Sequence, residues 1–285
     1  MSQELSSTTH KKSSDRYTLY HHGSSACAAK VRFALAENGL EWTGVYIDIL
    51  SGEQFAPEYL AINPHGTVPS LLDGETVILE STVICEYLDL VHPETNLHPT
   101  QPLEYANARY WTKAVDEELH PACTAITLIC SHRHTMIRKL GGAGFKEFLA
   151  SNASSAANDW STRRQAFYRL GFAAPGAVES IKCYDKYLCR MEDALRKSDW
   201  LVGTQFSIAD VAMAPYVNRL AMMSMESIWE GGRLPLVAAW FERIKERPTF
   251  RSSLLDWVPE ELTRDLRENG AKSWPEVAKI LEIQV

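Results

Sequence analysis

The spacing of hydrophobic and polar positions changes near residue 92, and this change divides the sequence into two parts. Before it, short apolar runs switch between the two-residue period of strands and the helical period of about 3.6 residues. Asp73-Gly74 separates two apolar runs as a hairpin signal, and Asn38-Gly39 indicates the end of a helix. The predicted elements are strand 17–20, helix 26–40, strands 42–49, 68–72 and 76–80, and helix 82–92. This order predicts an α/β unit that is too small for a doubly wound domain.

The rest of the sequence has a helical period, so the predicted fold class is α/β plus all-α. A stretch rich in Pro, His and Thr separates the two parts and is typical of a linker. The strongest helical patterns cover 104–133, 177–197, 207–223 and 235–246. The predicted organisation is a disordered leader at 1–15, an α/β domain at 16–93, a linker at 94–104, a helical domain at 105–257 and a C-terminal tail at 258–285.

Charge and composition exclude several classes of partner. The 285 residues include 29 Lys and Arg against 36 Asp and Glu, a net charge of −7. That balance argues against nucleic acid or an anionic membrane, because both reward a basic surface. The first fifteen residues lack the apolar run of a secretory signal, and the six cysteines form no C-x-x-C pair. Reduced thiols and a cytoplasmic location are therefore expected.

Several common site motifs are missing from the sequence. His21-His22 and the pair His132 and His134 have no Cys or carboxylate partners at metal-ligand spacing, so no metal site is predicted. The sequence also lacks the nucleophile-elbow, P-loop and dinucleotide-binding motifs. Ser207-x-x-Asp210 is a capping box, and its predicted role is to stabilise a helix.

Five signals in a specific order carry a resemblance to a known family. They are Gly-Ser-Ser-Ala-Cys before the first helix, Asn63-Pro64 leading to Val68-Pro69, Glu80-Ser81, the Pro-rich linker and Ser207-Ile208-Ala209-Asp210. This pattern resembles the cytosolic glutathione transferase superfamily. The resemblance implies a thioredoxin-like domain followed by an all-helical domain, glutathione as co-substrate, and a homodimer or a heterodimer with a paralogue.

Within that superfamily, different segments of the sequence resemble two different subfamilies. Residues 80–88 and 109–119 are most similar to the bacterial β-etherases that cleave lignin-derived aryl ethers. The segment Ser25–Arg32 is instead similar to the S-x-C-x-x-[KR]-x-R motif of zeta-class isomerases and hydroquinone reductive dehalogenases. Both subfamilies therefore remain candidates.

A glutathione enzyme must stabilise a thiolate whose parent thiol has a pKa of about 8.5. Lowering this pKa by about two units requires roughly 2.7 kcal/mol, which one charge-assisted hydrogen bond and a helix N-terminus together supply. The resemblance assigns the stabilising hydroxyl to Ser25 and gives Cys27 the position of the covalent thiol in the dehalogenases. The alternatives are that Ser25 is a plain N-cap and that Cys27 is a small buried residue.

The candidates for binding glutathione lie in loops and at one helix start. Val68-Pro69 resembles a cis-proline turn whose free backbone edge pairs with the cysteinyl part of the tripeptide. Glu80-Ser81 lies at a strand-to-helix junction, where Ser81 and nearby amides can hold the γ-glutamyl carboxylate and Glu80 the ammonium group. Two further polar candidates are Gln54, which the resemblance assigns to the glycyl end, and His65.

The second-substrate pocket is assigned to the helical part of the chain. Its candidates are Tyr110, Trp111 and His120. The Gly/Ser/Asn-rich segment 131–176 predicts a mobile flap that covers an aromatic substrate with Trp160, Phe167, Tyr168 and Phe172.

The leading functional hypothesis is attack of the glutathione thiolate on a small aromatic electrophile, with β-aryl ethers as the candidate substrates. The alternative enzyme is a reductive dehalogenase or isomerase that uses Cys27. The alternative from another class is a binding module without activity, which would need none of Ser25, Val68-Pro69 and Glu80-Ser81.

Overall fold

The computed structural model describes residues 16–153 and 159–283, without the side chains of 148–161. The predicted leader at 1–15 therefore lies outside the described residues. The first domain contains β1 (Tyr17–His21), α1 (Ala26–Glu37), β2 (Trp42–Tyr46), α2 (Pro57–Leu60), β3 (Ser70–Asp73), β4 (Thr76–Leu79) and α3 (Ser81–Val91). The second contains α4 (Pro102–Ala114), α5 (His120–Thr127), α6 (Arg133–Ala153), α7 (Asp159–Leu170), α8 (Ala177–Leu195), α9 (Ile208–Met222), α10 (Pro235–Lys245), α11 (Pro248–Phe250) and α12 (Glu260–Ile280). The predicted fold class is confirmed.

The four strands form one sheet in the order β2-β1-β3-β4. β1 runs parallel to β2 and antiparallel to β3, and β3 forms the predicted hairpin with β4. Tyr20 pairs with Ser70, and Ser70 pairs with Leu79. The end of β1, the start of β3 and the end of β4 therefore meet at one edge of the sheet.

Helix α1 links the two domains because it is buried on almost every side. Val31, Phe33 and Leu35 are fully buried, and the helix packs against both α3 and α9. Because its apolar residues do not follow a single face, α1 has the pattern of a helix enclosed by protein.

The long helical path after the linker contains two π-helical turns, at Val115–Leu119 and Leu128–His132. Each turn joins two α-helices, so α4, α5 and α6 continue one another. Turns of this kind often occur at functional sites because they redirect side chains. The predicted capping box of α9 is confirmed: Ser207 Oγ accepts from a backbone amide, and Asp210 accepts from the Ser207 amide.

The segment 131–176 contains α6 and α7, with a left-handed residue at Gly141 inside α6. Phe167 and Tyr168 are buried members of the core of the helical domain. Residues 154–158 and the side chain of Trp160 lie outside the described part of the chain. The flap hypothesis is therefore a prediction that the structure does not test.

Residues 260–280, which the sequence placed in a tail, form α12 and pack against the turn Leu128–His132. Leu262, Leu266 and Val277 bury their side chains there. A Cβ atom at Gly270 would come within 2.1 Å of the Met223 carbonyl oxygen, so only glycine allows this close approach. No helix in the described part of the chain is sufficiently long and apolar to cross a membrane.

Candidate active site

The loop between β1 and α1 holds the first candidate residue, Ser25. Ser25 is the N-cap of α1, and its Oγ accepts the Ala28 amide at 3.1 Å. The capping alternative is thus confirmed as a local role. Among the described residues no acceptor takes the Ser25 hydroxyl proton, so the group is also free to donate to a thiolate.

Cys27, on the first turn of α1, meets side chains from two helices of the second domain. Its Sγ lies 3.3 Å from His120 Nδ1 and 3.6 Å from the Tyr216 hydroxyl. The hydroxyl of Tyr216 is in turn 3.4 Å from His120 Nδ1. These three residues form a thiol cluster at the boundary of the domains, and Cys27 itself is only half-buried.

The surroundings of Cys27 have opposing effects on its pKa. Burial alone would raise the pKa of this thiol, but the charge of His120, the hydrogen bond to His120, the charge of Lys30 and the Tyr216 hydroxyl lower it to about 6. The Cys27 thiolate raises the pKa of His120. Both shifts favour the ion pair of a thiolate and an imidazolium, which is the form of a reactive cysteine.

A second ion pair lies beside the thiol cluster. Lys30 is fully buried, and its Nζ donates to Thr82 Oγ1 at 2.6 Å and to Asp116 Oδ1 at 3.0 Å. Cys27 and Lys30 are three residues apart on α1, while Asp116 and His120 are four residues apart across the first π-helical turn. Both spacings put their residues on one helix face, so two faces of complementary charge meet across the domain boundary.

Arg32, the last residue of the Ser25–Arg32 motif, ties the β1–α1 loop to the C-terminal region. Its Nε donates to the Ser253 carbonyl at 2.8 Å and its Nη1 to the His22 carbonyl at 3.3 Å. Burial lowers the pKa of Arg32 to about 9. Arg32 is thus a structural member of the motif.

The sheet register brings the glutathione candidates to the edge where α1 begins. Val68-Pro69 precedes β3 and has the cis peptide bond that the resemblance implies. Among the described residues, neither the N–H nor the C=O of Val68 has a hydrogen-bond partner. Glu80 holds a left-handed φ of 67°, an unusual backbone state for a non-glycine residue, immediately before buried Ser81 and α3.

Two further candidates follow β2 towards the same edge. Gln54 is buried, and its Oε1 has no hydrogen-bond partner among the described residues, so it can accept from a bound peptide N–H. The side chain of His65 is exposed, and its backbone amide donates to Asn63 Oδ1 at 3.0 Å. The free Val68 edge, the start of α3 and the unused Gln54 oxygen fit an extended acidic tripeptide.

The structure separates the three pocket candidates. His120 joins Cys27, whereas Trp111 is buried in the core. Tyr110 is 47% exposed, and its ring lies 4.7 Å from the Arg190 guanidinium. Tyr110 thus lies on the outer surface of α4 in the described structure, packed against α8.

The sequence predicts no role for Lys30 or Asp116, and it indicates Tyr216 only as an aromatic residue that could line the second-substrate pocket. One signal was available in the sequence: the segments 27–30 and 116–120 each carry a pair of ionisable residues at helical spacing. The sequence does not show that these two distant segments meet, and only the fold does. In the described part of the chain, no group of three His, Cys, Asp or Glu side chains could hold a metal ion.

Comparisons with known proteins match both domains. The family "Glutathione S-transferase, N-terminal domain" matches residues 24–91, and "Glutathione S-transferase, C-terminal domain" matches residues 174–248. Protein LigF of Sphingobium sp. is 31% identical over 259 residues, 89% of this chain and 98% of LigF. Maleylacetoacetate isomerase of Rhizobium meliloti is 32% identical over 200 residues, 70% of this chain and 79% of the isomerase.

A solved structure of one of these relatives also matches the fold of this chain. The crystal structure of the β-etherase LigF from Sphingobium sp. has a TM-score of 0.74 to this chain at 30% identity, and covers 84% of this chain and 98% of LigF. Identity above 30% along almost the whole relative confirms the family that the five sequence signals indicated. The chain therefore belongs to the glutathione S-transferase family and is an enzyme that uses glutathione as its co-substrate.

Proposed function

We propose that the glutathione thiolate attacks a small aromatic electrophile, and that the substrates include β-aryl ethers of the kind found in lignin-derived compounds. The observation that carries this proposal is the edge of the sheet where Ser25, the free Val68 backbone and Ser81 come together. The similarity to LigF, whose solved structure is that of a β-etherase, supports the choice of aryl ethers.

In the proposed reaction the chain holds glutathione and stabilises its sulfur anion. The Ser25 hydroxyl donates to the thiolate, and the N-terminal amides of α1 add a favourable potential. In a β-aryl ether of this kind the carbon that carries the ether oxygen lies beside a ketone. The sulfur forms a bond to this carbon, and the bond from the carbon to the ether oxygen breaks. The leaving aryl oxide takes the electron pair and recovers the proton that the thiol lost, so the products are a thioether and a phenol.

A second candidate function is favoured by the thiol cluster of Cys27, His120 and Tyr216. Here the Cys27 thiolate attacks the sulfur of a glutathione–substrate conjugate. A Cys27–glutathione disulfide forms, the carbon–sulfur bond breaks, and the released carbon takes a proton from His120. A second glutathione then reduces the disulfide, so the substrate gains two electrons and glutathione is oxidised.

Two variants distinguish the candidates when aryl ether cleavage is followed against pH. Under the first proposal Ser25→Ala raises the apparent pKa of the rate profile by about one to two pH units, because one charge-assisted hydrogen bond is lost. Cys27→Ser then stays within a few-fold of the wild type. If Cys27→Ser abolishes turnover and the wild type accumulates a glutathione disulfide in mass spectra, the second candidate replaces the first.

The glutathione contacts are tested separately by calorimetry. Glu80→Ala combined with Ser81→Ala removes the proposed contacts to the γ-glutamyl group and should weaken glutathione binding about tenfold or more. His65→Ala changes an exposed side chain at the same edge and should have the smaller effect. Unchanged affinity in the double variant would contradict the assignment of Glu80 and Ser81.

We also propose that the enzyme works as a homodimer in the cytoplasm; a heterodimer with a paralogue is the alternative. Leu90 and Leu103 are 79% and 75% exposed, and Phe55 and Val83 are also exposed, which is typical of surfaces that a partner covers. Sedimentation of the purified chain tests this: a homodimer supports the proposal, and a monomer favours the paralogue.

A further inference from the structure

Arg219, on α9, is a buried cation whose hydrogen-bonding capacity is largely unused. The side chain is only 4% exposed, and its Nη2 donates to the Ser24 carbonyl. Its Nε and Nη1 are buried and have no hydrogen-bond partner among the described residues. Among the carboxylate side chains that the structure describes, which exclude those of 148–161, no carboxylate forms an ion pair with it. Burying a guanidinium with so few hydrogen-bond partners lowers the stability of the fold, so an additional acceptor is expected to bind there.

Arg32 shows what a buried arginine of this protein looks like when its partners are present. It is as deeply buried as Arg219, yet its three nitrogens reach the carbonyls of Ser253, His22 and Gly23 and the ring of His21. Arg32 is therefore satisfied by the protein itself. Arg219 has one such acceptor, and the remaining donors are available to a ligand.

Arg219 connects the helix that carries Tyr216 with the loop that precedes α1. Arg219 follows Tyr216 by three residues on α9, so the two share a helix face. The hydroxyl of Tyr216 is 3.6 Å from Cys27 Sγ, and the carbonyl of Ser24 that holds Arg219 immediately precedes the N-cap of α1. A group bound at Arg219 would thus lie close to the place where glutathione sulfur is expected.

His132 is a second buried group with an unsatisfied nitrogen, and the charge of Arg219 acts on it. His132 ends the turn Leu128–His132, is 7% exposed, and its Nε2 has no hydrogen-bond partner among the described residues. Burial, followed by the charge of Arg219 and then that of His22, lowers the pKa of His132 to about 3. His132 is therefore neutral at physiological pH and can donate one hydrogen bond beside the guanidinium.

We propose that Arg219 and His132 form a subsite for a carboxylate on the second substrate, so that the preferred electrophiles are aromatic acids. This inference rests on the proposed attack on aromatic electrophiles. Water can accept the unused hydrogen bonds of Arg219 but does not neutralise its charge, whereas a carboxylate does both. A carboxylate of glutathione has the same chemistry, so the test separates the two sources.

The test uses a chloronitrobenzoate and the corresponding chloronitrobenzamide, which are similar in size and shape but differ in charge, and each rate is compared with the uncatalysed rate of the same compound. Wild-type kcat/KM should be about tenfold higher for the acid, and Arg219→Gln should lower the value for the acid by roughly tenfold to a hundredfold. The amide should change by less than about threefold, and Arg219→Lys should lie in between. Arg196→Gln, which removes an equal charge from an exposed side chain, is the control.

The possible outcomes are distinct. If Arg219→Gln lowers turnover of the acid and the amide equally, or mainly weakens glutathione binding, the substrate subsite is wrong. If the wild type turns over neither compound, the proposed function fails, and calorimetry with nitrobenzoate and nitrobenzamide decides the subsite on its own. The same wild-type titration decides it if the variants do not fold: tighter binding of the acid supports the subsite, and equal binding overturns it.

Discussion

Cys27 on α1 and Cys85 on α3 both lie near Lys30, and the protein gives their thiols opposite properties. Cys85 is fully buried, its Sγ donates to the Lys30 carbonyl at 3.8 Å, and burial raises its pKa to about 12. Burial acts in the same direction on Cys27, yet the pKa of Cys27 falls to about 6. The charge of Lys30 lowers the pKa of both thiols, so it does not separate them. The separating group is His120, which only Cys27 contacts in the described structure.

The largest effect should appear in chemical labelling. At pH 7 Cys27 should react with iodoacetamide at least about a hundredfold faster than Cys85 or Cys130, because only Cys27 is a thiolate and partly exposed. Peptide mass spectrometry over time measures the three rates. In denaturant the three rates should become similar. Similar rates in the native protein would show that the fold does not make Cys27 more reactive than Cys85 and Cys130.

Removal of His120 should abolish most of the difference in pKa between Cys27 and Cys85. His120→Gln takes away the positive charge, so the pKa of Cys27 should rise from about 6 to the range of a free thiol, about 8.5, or above it. Because the pKa of Cys27 rises, the thiolate of the variant forms only at higher pH than in the wild type. Titration of the thiolate ultraviolet absorbance gives the midpoint. His134→Gln, an exposed histidine on α6, is the matched control, and a midpoint that stays near pH 6 would show that His120 is not the cause.

A smaller effect is expected from Lys30→Met. Its charge contributes less than His120 to the pKa of Cys27, and it acts on Cys85 as well. The pKa of both thiols should rise, while the difference between them remains. A loss of the difference in the same absorbance titration would mean that Lys30, and not His120, separates the two cysteines.

The smallest effect should come from Tyr216→Phe. This change removes one hydrogen bond to the thiolate, about 0.5–1.5 kcal/mol, so the pKa of Cys27 should rise by at most about one unit. Tyr105→Phe, on an exposed part of α4, gives the baseline. If Tyr216→Phe exceeds His120→Gln in the titration, the order of contributions proposed for this cluster is wrong.

Much of the fold followed from local patterns in the sequence. The strands, the hairpin at Asp73-Gly74 and the capping box at Ser207 depend on residues that are neighbours in the chain, so they could be predicted. Helix α12 was missed because its apolar residues are sparse among many charged ones. Its place depends on a surface formed by Leu128–His132, which is far away in sequence.

The sequence by itself determined the family, the two-domain order, the use of glutathione and the presence of Ser25 and Cys27 at the start of α1. Only the tertiary structure decided what Cys27 contacts. Its partners His120 and Tyr216 are 93 and 189 residues away along the chain, and they reach the thiol because α5 and α9 both pack at the domain boundary. A thiol's pKa depends on charges within a few ångströms in space, and a linear sequence does not specify which distant helices provide them.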